Sequence, residues 1–161
     1  MYFNTSEIKY PHIHPYISCC CISVSDIGAF YGFTAVMRNN KHDPRKGRRL
    51  QFPTVLFNHG NAYNARTGQF SCPVSGYYVF FTTIMSHENA ESAAHVYVDG
   101  RKTLSAFASF QKSHGQSSAM VLARCLKGQS AELRSFAHPW NRFWDNEHGY
   151  STFSGWLLRK N

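Results

Sequence analysis

The run GYYVFFTTIM at residues 76–85 is apolar on both of the faces that a β-strand would present. Alternate side chains of a strand point in opposite directions. One face would carry Tyr78, Phe80 and Ile84, and the other would carry Tyr77, Val79, Phe81 and Thr83. A strand in an antiparallel sandwich normally exposes one polar face to water. We therefore expect the second apolar face to contact another subunit.

A second run, at residues 117–126, has the same character. Met120, Leu122 and Leu126 alternate there with Ala119, Val121, Ala123 and Cys125. The alternative to a subunit contact is a helix or loop of the same chain lying over the sheet. The sequence contains no amphipathic helix that could serve, which favours the subunit contact.

Short apolar runs recur along the rest of the chain and indicate an all-β fold. They are rich in Val, Tyr, Phe and Thr, and lie at residues 33–37, 50–57, 76–85, 93–100, 103–110, 117–126, 130–136 and 151–158. Most are separated by Gly, Asn, Asp or Ser, and Asp99-Gly100 predicts a tight hairpin turn. Residues 1–31 show little periodicity. We predict a leader over residues 1–31 and one β-sandwich or barrel domain over residues 32–161.

The charge balance favours anionic partners. The chain has 161 residues, with 17 Lys and Arg against 9 Asp and Glu, which gives a formal charge of +8. Glycans, lipid headgroups and nucleic acid all fit that charge, and nucleic acid has no other feature in its favour. The longest apolar runs fall well short of a membrane-spanning helix.

The sequence offers no catalytic or metal-binding motif. Its nine histidines are scattered, and the spacings typical of zinc proteases, serine hydrolases and phosphate loops are absent. Cys19, Cys20 and Cys21 form a cluster without a Cys-x-x-Cys pair. That cluster fits an interchain link, a processing remnant or no role. We expect neither an enzyme nor a resident cofactor.

Aromatic, glycine and asparagine spacing in the first half of the chain resembles the signature of the complement C1q globular head. The matching positions are Phe52, Asn58, Tyr63, Phe70, Gly76, Tyr78 and Phe80. Thr82 departs from the pattern, since the family has an aromatic residue there. The segments 126–133 and 151–158 resemble later strands of the family, and the likeness covers residues 33–158.

This resemblance implies a ten-strand jelly-roll β-sandwich that assembles as a homotrimer. It places Tyr78 and Phe80 in the core of each protomer. Five residues would face neighbouring subunits: Tyr77, Val79, Phe81, Phe153 and Leu157. Relatives include calcium-binding heads, yet Gln129 stands where the family usually has Asp, and acidic residues are few. The glycines show no three-residue period, so we expect no collagen stalk.

The resemblance further implies a secreted recognition module of innate immunity, although no signal peptide is evident. Such a trimer would bind glycans or microbial surfaces through loops, in a lectin-like manner. One candidate loop, 38–49, offers Arg45, Lys46, Arg48 and Arg49. The other, 136–150, offers Trp140, Arg142, Trp144 and Asp145. Alternatively the first loop is simply solvated and the tryptophans pack against the sandwich. The alternative function is a cytokine-like or organiser-type ligand for a cell-surface receptor.

A disulfide between Cys72 and Cys125 is the final expectation drawn from the resemblance. In the jelly roll, the strand after Cys72 and the strand ending near Cys125 are antiparallel neighbours. Their ends would then meet at a separation that a disulfide can span. Two buried free thiols are the alternative.

Overall fold

The computed structural model describes residues 30–38, 47–136, 142–144 and 148–161. Most of the predicted leader, including Cys19, Cys20 and Cys21, lies outside these residues. The described residues form ten strands and no helix. In chain order these are β1 Gly32–Val36, β2 Thr54–His59, β3 Tyr63–Asn64, β4 Gln69–Ser71, β5 Gly76–Met85, β6 Glu91–Val98, β7 Arg101–Ser109, β8 Gln116–Cys125, β9 Ser130–Ser135 and β10 Thr152–Lys160.

The strands form two five-stranded sheets, which confirms the predicted β-sandwich. The first sheet has the order β2-β1-β10-β5-β8, and the second has the order β3-β4-β9-β6-β7. Every pair of neighbouring strands is antiparallel. The short strands β3 and β4 were not recognised as apolar runs, because two or three residues are too few to show alternation. Conversely, Leu50 and Phe52 are buried although they precede β2.

An aromatic cluster fills the space between the sheets. The Phe33 ring stacks on Tyr63 at 4.5 Å and on Phe70 at 5.0 Å, with the edge of Phe153 at 4.9 Å. Phe80 lies 5.8 Å from Phe70 and completes the contact between sheets. All these rings are buried. The aromatic signature of the sequence is therefore largely a description of this core.

The other signature positions fix the backbone around the core. Asn58 brackets Tyr63, because its Nδ2 donates to the Tyr63 carbonyl at 2.9 Å and its Oδ1 accepts from the Tyr63 amide at 3.1 Å. Gly76 allows β10 to approach closely, since a Cβ there would lie 2.4 Å from the carbonyl oxygen of Arg159. Thr82, the departure from the family pattern, is buried and donates from Oγ1 to the Thr152 carbonyl at 2.8 Å.

The hairpin predicted at Asp99-Gly100 is present between β6 and β7. Val98 pairs with Arg101, and the two turn residues have φ values of 52° and 71°. Positive φ at both central positions is the requirement of the type I′ turn.

Cys72 and Cys125 form a disulfide with a Cα–Cα distance of 6.3 Å. Cys125 lies opposite Gly76 in the β5–β8 ladder, so the start of β5 and the end of β8 meet as the family resemblance implied. The amide of Cys72 also donates to the Gln129 carbonyl at 2.7 Å, and Gly128 donates back to the Cys72 carbonyl at 2.9 Å. Bond and ladder thus close the same end of the sandwich.

Replacing both cysteines, as in Cys72→Ala with Cys125→Ala, is expected to lower the free energy of unfolding. The two cysteines are separated by 53 residues of sequence, and chain entropy then predicts a loss of about 4 kcal/mol. Equilibrium denaturation measures this loss, and non-reducing peptide mapping of the unaltered protein tests the bond. An unlinked Cys72 peptide from folded, oxidised protein would contradict the assignment.

Tyr63 is expected to make the fold sensitive to alkaline pH. Its buried hydroxyl contacts the amide and the carbonyl of Phe52, each at 3.3 Å, and burial raises the Tyr63 pKa from 10.0 to about 12. The folded state therefore holds this proton after the unfolded state has lost it. Stability contributed by Tyr63 is complete below pH 10 and falls as the pH rises through about 12.

The variant Tyr63→Phe is expected to lose part of this alkaline dependence and about 1 kcal/mol at neutral pH. Burial also raises the pKa of Tyr78, so some dependence will remain. Exposed Tyr150 supplies the control, since Tyr150→Phe should leave the profile unchanged. Denaturation midpoints measured between pH 8 and 12 test this role of Tyr63. Identical pH profiles for Tyr63→Phe and the unaltered protein would refute the prediction.

Candidate functional site

The outer surface of the first sheet is apolar across three adjacent strands. We define the apolar face as Tyr77, Val79 and Phe81 of β5, Met120 and Leu122 of β8, and Trp156 of β10. Val79 lies between Leu122 and Trp156 in the ladder, and Phe81 lies opposite Met120. Met120 is 64% exposed, Leu122 59% and Tyr77 43%. The apolar face is the second, outward-pointing side of the apolar pattern that the sequence shows at residues 76–85.

Of the residues expected to face a neighbouring subunit, Tyr77, Val79 and Phe81 lie on the apolar face. The expectation for Phe153 and Leu157 is corrected by the structure. Phe153 is fully buried against Phe33, and Leu157 packs against the same core.

The phase of β10 explains this correction. Gly155 lies opposite Phe80, and a Cβ at Gly155 would come within 2.5 Å of the Phe80 ring. Residues 153, 155 and 157 therefore point inward, and Trp156 points outward. Trp156 was not predicted from the sequence, although Gly155 beside it was the available signal for the inward face.

Several loops converge at the end of the sandwich opposite the disulfide. The β5–β6 and β7–β8 loops are joined by the Ser86 amide, which donates to the Gly115 carbonyl at 2.8 Å. The β9–β10 segment joins them, since the His87 amide donates to the Arg142 carbonyl at 3.0 Å. The Gly47 amide donates to the Ser135 carbonyl at 3.1 Å and brings the β1–β2 loop to the same end. We call this end the loop end.

The loop end gathers part of the predicted ligand-binding set. Arg48 and Arg142 are exposed there, while Trp144 is half-buried. The remaining candidates, Arg45, Lys46, Trp140 and Asp145, lie outside the described residues. Their part in ligand binding stays a prediction.

Arg49, in contrast, is engaged within the protomer. Its Nε lies 2.5 Å from Glu132 Oε2, and Arg134 Nη2 lies 2.5 Å from the other carboxylate oxygen. The Glu132 side chain is almost completely buried, so the two guanidinium groups compensate its charge. The Arg134 guanidinium also lies 4.6 Å from the centre of the Tyr97 ring. Arg49 therefore forms an ion pair within the protomer, on the outer side of the second sheet, and its charge is already partnered by Glu132.

His95 lies beside this ion-pair network. Its ring is 5.1 Å from Phe136, and Nδ1 lies 2.6 Å from the Ser105 hydroxyl. Burial, together with the positive charge of Lys102, lowers the His95 pKa. The imidazole is therefore held in its neutral form over a wider pH range.

Trp144 packs against two histidines that also contact each other. The indole stacks on His114 at 4.4 Å, and the edge of His87 lies 4.9 Å away. Trp144 thus packs against the sandwich end and keeps some surface in water. Its part in sugar binding stays a prediction. The histidines were missed because nothing in their local sequence indicates that two separate loops meet.

The described residues contain no group of three or more His, Cys, Asp or Glu that could hold a metal ion. Gln129 occupies the position where the family usually has Asp, and its Nε2 donates to Asp99 Oδ2 at 2.7 Å. Its Oε1 accepts from the Leu126 amide at 2.7 Å. Gln129 thus stabilises the turn between β8 and β9. The described residues contain no helix that is long and apolar enough to cross a membrane.

Comparison with known proteins is consistent with this architecture. The family model of the C1q domain matches residues 32–158. Human complement C1q tumor necrosis factor-related protein 3 is 31% identical over 121 residues, which cover 73% of this chain and 47% of that protein. The related protein 2 of Mus musculus is 29% identical over 119 residues, covering 73% of this chain and 40% of that protein. The chain thus spans less than half the length of these relatives.

Solved structures agree on the fold. The globular domain of zebrafish complement 1qA protein superimposes with a TM-score of 0.67 at 21% identity, covering 81% of this chain and 99% of that domain. The Eiger TNF of S. frugiperda gives a TM-score of 0.64 at 12% identity, covering 83% of this chain and 95% of that structure. The predicted jelly roll is thereby confirmed.

Proposed function

Because this chain belongs to the C1q domain family, we propose that it acts as a secreted homotrimer that recognises glycans or microbial surfaces in innate immunity. The role is one of binding rather than catalysis. Trimerisation multiplies weak contacts, because three identical loop ends engage one multivalent surface.

The apolar face is the observation that carries the proposal. Side chains as large as Met120 and Leu122 are more than half exposed in the single protomer. Burying each such side chain contributes about 1.5–3 kcal/mol. The face is continuous over β10, β5 and β8, which supports a subunit contact rather than scattered surface residues.

The loop end supports the choice of ligand. Trp144 keeps part of its indole in water, and exposed Arg48 and Arg142 lie at the same end. An aromatic ring can stack on the apolar face of a sugar, while guanidinium groups pair with carboxylate, sulfate or phosphate substituents. The formal charge of +8 favours the anionic forms of such ligands.

The disulfide supports an extracellular location. Bonds such as Cys72–Cys125 persist in oxidising compartments and are uncommon in the cytosol. Secretion is accordingly part of the proposal.

A trimeric ligand for a cell-surface receptor is the second candidate. It is favoured by the names of the relatives, which are tumor necrosis factor-related proteins, and by the likeness to the Eiger TNF fold. In this case the recognised surface would be a protein, and binding to cells would saturate and be lost when surface proteins are digested.

The trimer is tested with Leu122→Glu. Leu122 is largely exposed in the protomer, so the variant should fold while the charge prevents burial of the apolar face. Val79→Asp is less informative. Val79 is only 9% exposed in the single protomer, so a charge there would also disturb the protomer itself. Native mass spectrometry is expected to show a trimer for the unaltered protein and a folded monomer for Leu122→Glu.

Phe136→Glu is the matched control, since Phe136 is 40% exposed and follows β9 in the other sheet. That variant should remain trimeric. A stable, folded monomer of the unaltered protein at micromolar concentration would refute the assembly.

Ligand recognition is tested on an array of glycans and microbial polysaccharides at physiological salt. We expect Trp144→Ala to reduce binding about tenfold or more, since stacking on one aromatic ring contributes roughly 0.5–1.5 kcal/mol beyond its buried area. Lys127→Ala removes an exposed cation at the opposite end and should have no effect. Equal losses in both variants would indicate non-specific charge, and protease-sensitive cell binding without array signals would favour the receptor ligand.

A further inference from the structure

Three rings from three separate loops meet at the loop end. His87 follows β5, His114 precedes β8, and Trp144 precedes β10. The two imidazole centres lie 5.8 Å apart with their planes at 84°. Neither imidazole has a place in the proposed recognition of glycans or receptors.

Backbone carbonyls fix the protonated nitrogen of both histidines. His87 Nδ1 lies 3.2 Å from the Glu88 carbonyl oxygen, and His114 Nδ1 lies 3.1 Å from the Ser86 carbonyl oxygen. A carbonyl oxygen only accepts hydrogen bonds, so Nδ1 is the donor in each neutral ring. The lone pair is therefore on Nε2 in both rings. A backbone carbonyl at the opposite nitrogen is the arrangement that orients histidine ligands in metalloproteins.

The spacing of the rings suits a shared ion. Two imidazoles bound to one tetrahedral ion, with metal–nitrogen bonds of about 2.0–2.1 Å, have ring centres roughly 5 Å apart. The observed 5.8 Å is within about 1 Å of that separation.

The backbone that carries the two histidines is held in place before any ion arrives. Ser86 is buried, its amide donates to the Gly115 carbonyl at 2.8 Å, and its Oγ accepts from the Gly115 amide at 2.9 Å. The Trp144 amide donates to the Met85 carbonyl at 2.8 Å, which fixes the indole beside both rings. An ion would therefore bind without a large cost of ordering these loops.

We propose that His87 and His114 bind one divalent transition-metal ion, Zn²⁺ or Cu²⁺, through their Nε2 atoms. Imidazole nitrogen is a preferred ligand for both ions, whereas calcium and magnesium prefer oxygen. Among the described residues, no third His, Cys, Asp or Glu joins these two histidines in a metal-binding group. With two protein ligands, the proposed site is open and exchangeable rather than a closed structural zinc site. Bound metal would link the β5–β6 and β7–β8 loops.

Isothermal titration of the metal-free protein with ZnCl₂ tests the site. We expect one ion per chain, and His87→Gln and His114→Gln should each weaken binding about tenfold or more, because loss of a ligand costs no less than loss of its orienting partner. His59→Gln is the matched control. His59 Nδ1 also contacts a backbone carbonyl, that of Phe30 at 2.6 Å, but among the described residues its ring contacts are Phe30 and Phe57 and not a second histidine.

A spectroscopic measurement locates the ion. Cu²⁺ bound to the two histidines should quench the fluorescence of the adjacent Trp144, and Trp144→Phe should remove most of the quenching without removing zinc binding. Zinc X-ray absorption should show nitrogen ligands at about 2.0–2.1 Å.

The proposal is overturned if His87→Gln with His114→Gln takes up as much zinc as the unaltered protein, or if His59→Gln weakens uptake equally. Zinc binding requires no glycan or receptor, so its outcome is independent of the proposed function. Circular dichroism of each variant verifies that a loss of binding reflects a lost ligand and not an unfolded chain.

Discussion

Phe33 lies against Tyr63, Phe70 and Phe153, and through this ring the two sheets of the sandwich are joined. Phe33 and Phe153 belong to the first sheet, while Tyr63 and Phe70 belong to the second. Because β10 must direct Phe153 to this cluster, the neighbouring residue positions on β10 point outward. Packing of the core therefore also determines the apolar face. Once alternate residues of β10 and β5 point into the core, the residues between them must point outward.

Much of this architecture was predictable from local patterns. Alternation in β5 identified both Phe80 as core and Phe81 as outward, and the Asp99-Gly100 dipeptide located a hairpin. Phe153 and Leu157 were misassigned because the run from Phe153 to Leu158 contains apolar residues in both phases and a register shift beyond Leu157. The contacts of Gly155 with Phe80 and of Phe153 with Phe33 decide the phase, and both join residues that are distant in sequence.

The candidate site was less accessible to sequence reasoning. Spacing along the chain cannot show that His87 and His114 meet, because their loops are brought together by hydrogen bonds between Ser86 and Gly115. Charge counting likewise could not separate Arg49, which compensates the buried Glu132, from Arg48, which is exposed. A basic cluster in sequence therefore overstates the charge available to a ligand, and the structure divides it between internal pairing and open surface.

The disulfide also bears on how the chain reaches its fold. In the reduced chain, pairing of β5 with β8 must first close the segment between Met85 and Gln116, with the entropy loss that such closure entails. Once Cys72 and Cys125 are joined, the ends of these strands are neighbours, and the ladder can extend from Gly76 and Cys125 as a hairpin would. The bond converts the most extended antiparallel pairing of the first sheet into a local contact. If the disulfide forms early, the chain therefore folds with fewer contacts between residues that are distant along the chain, and low contact order favours fast folding.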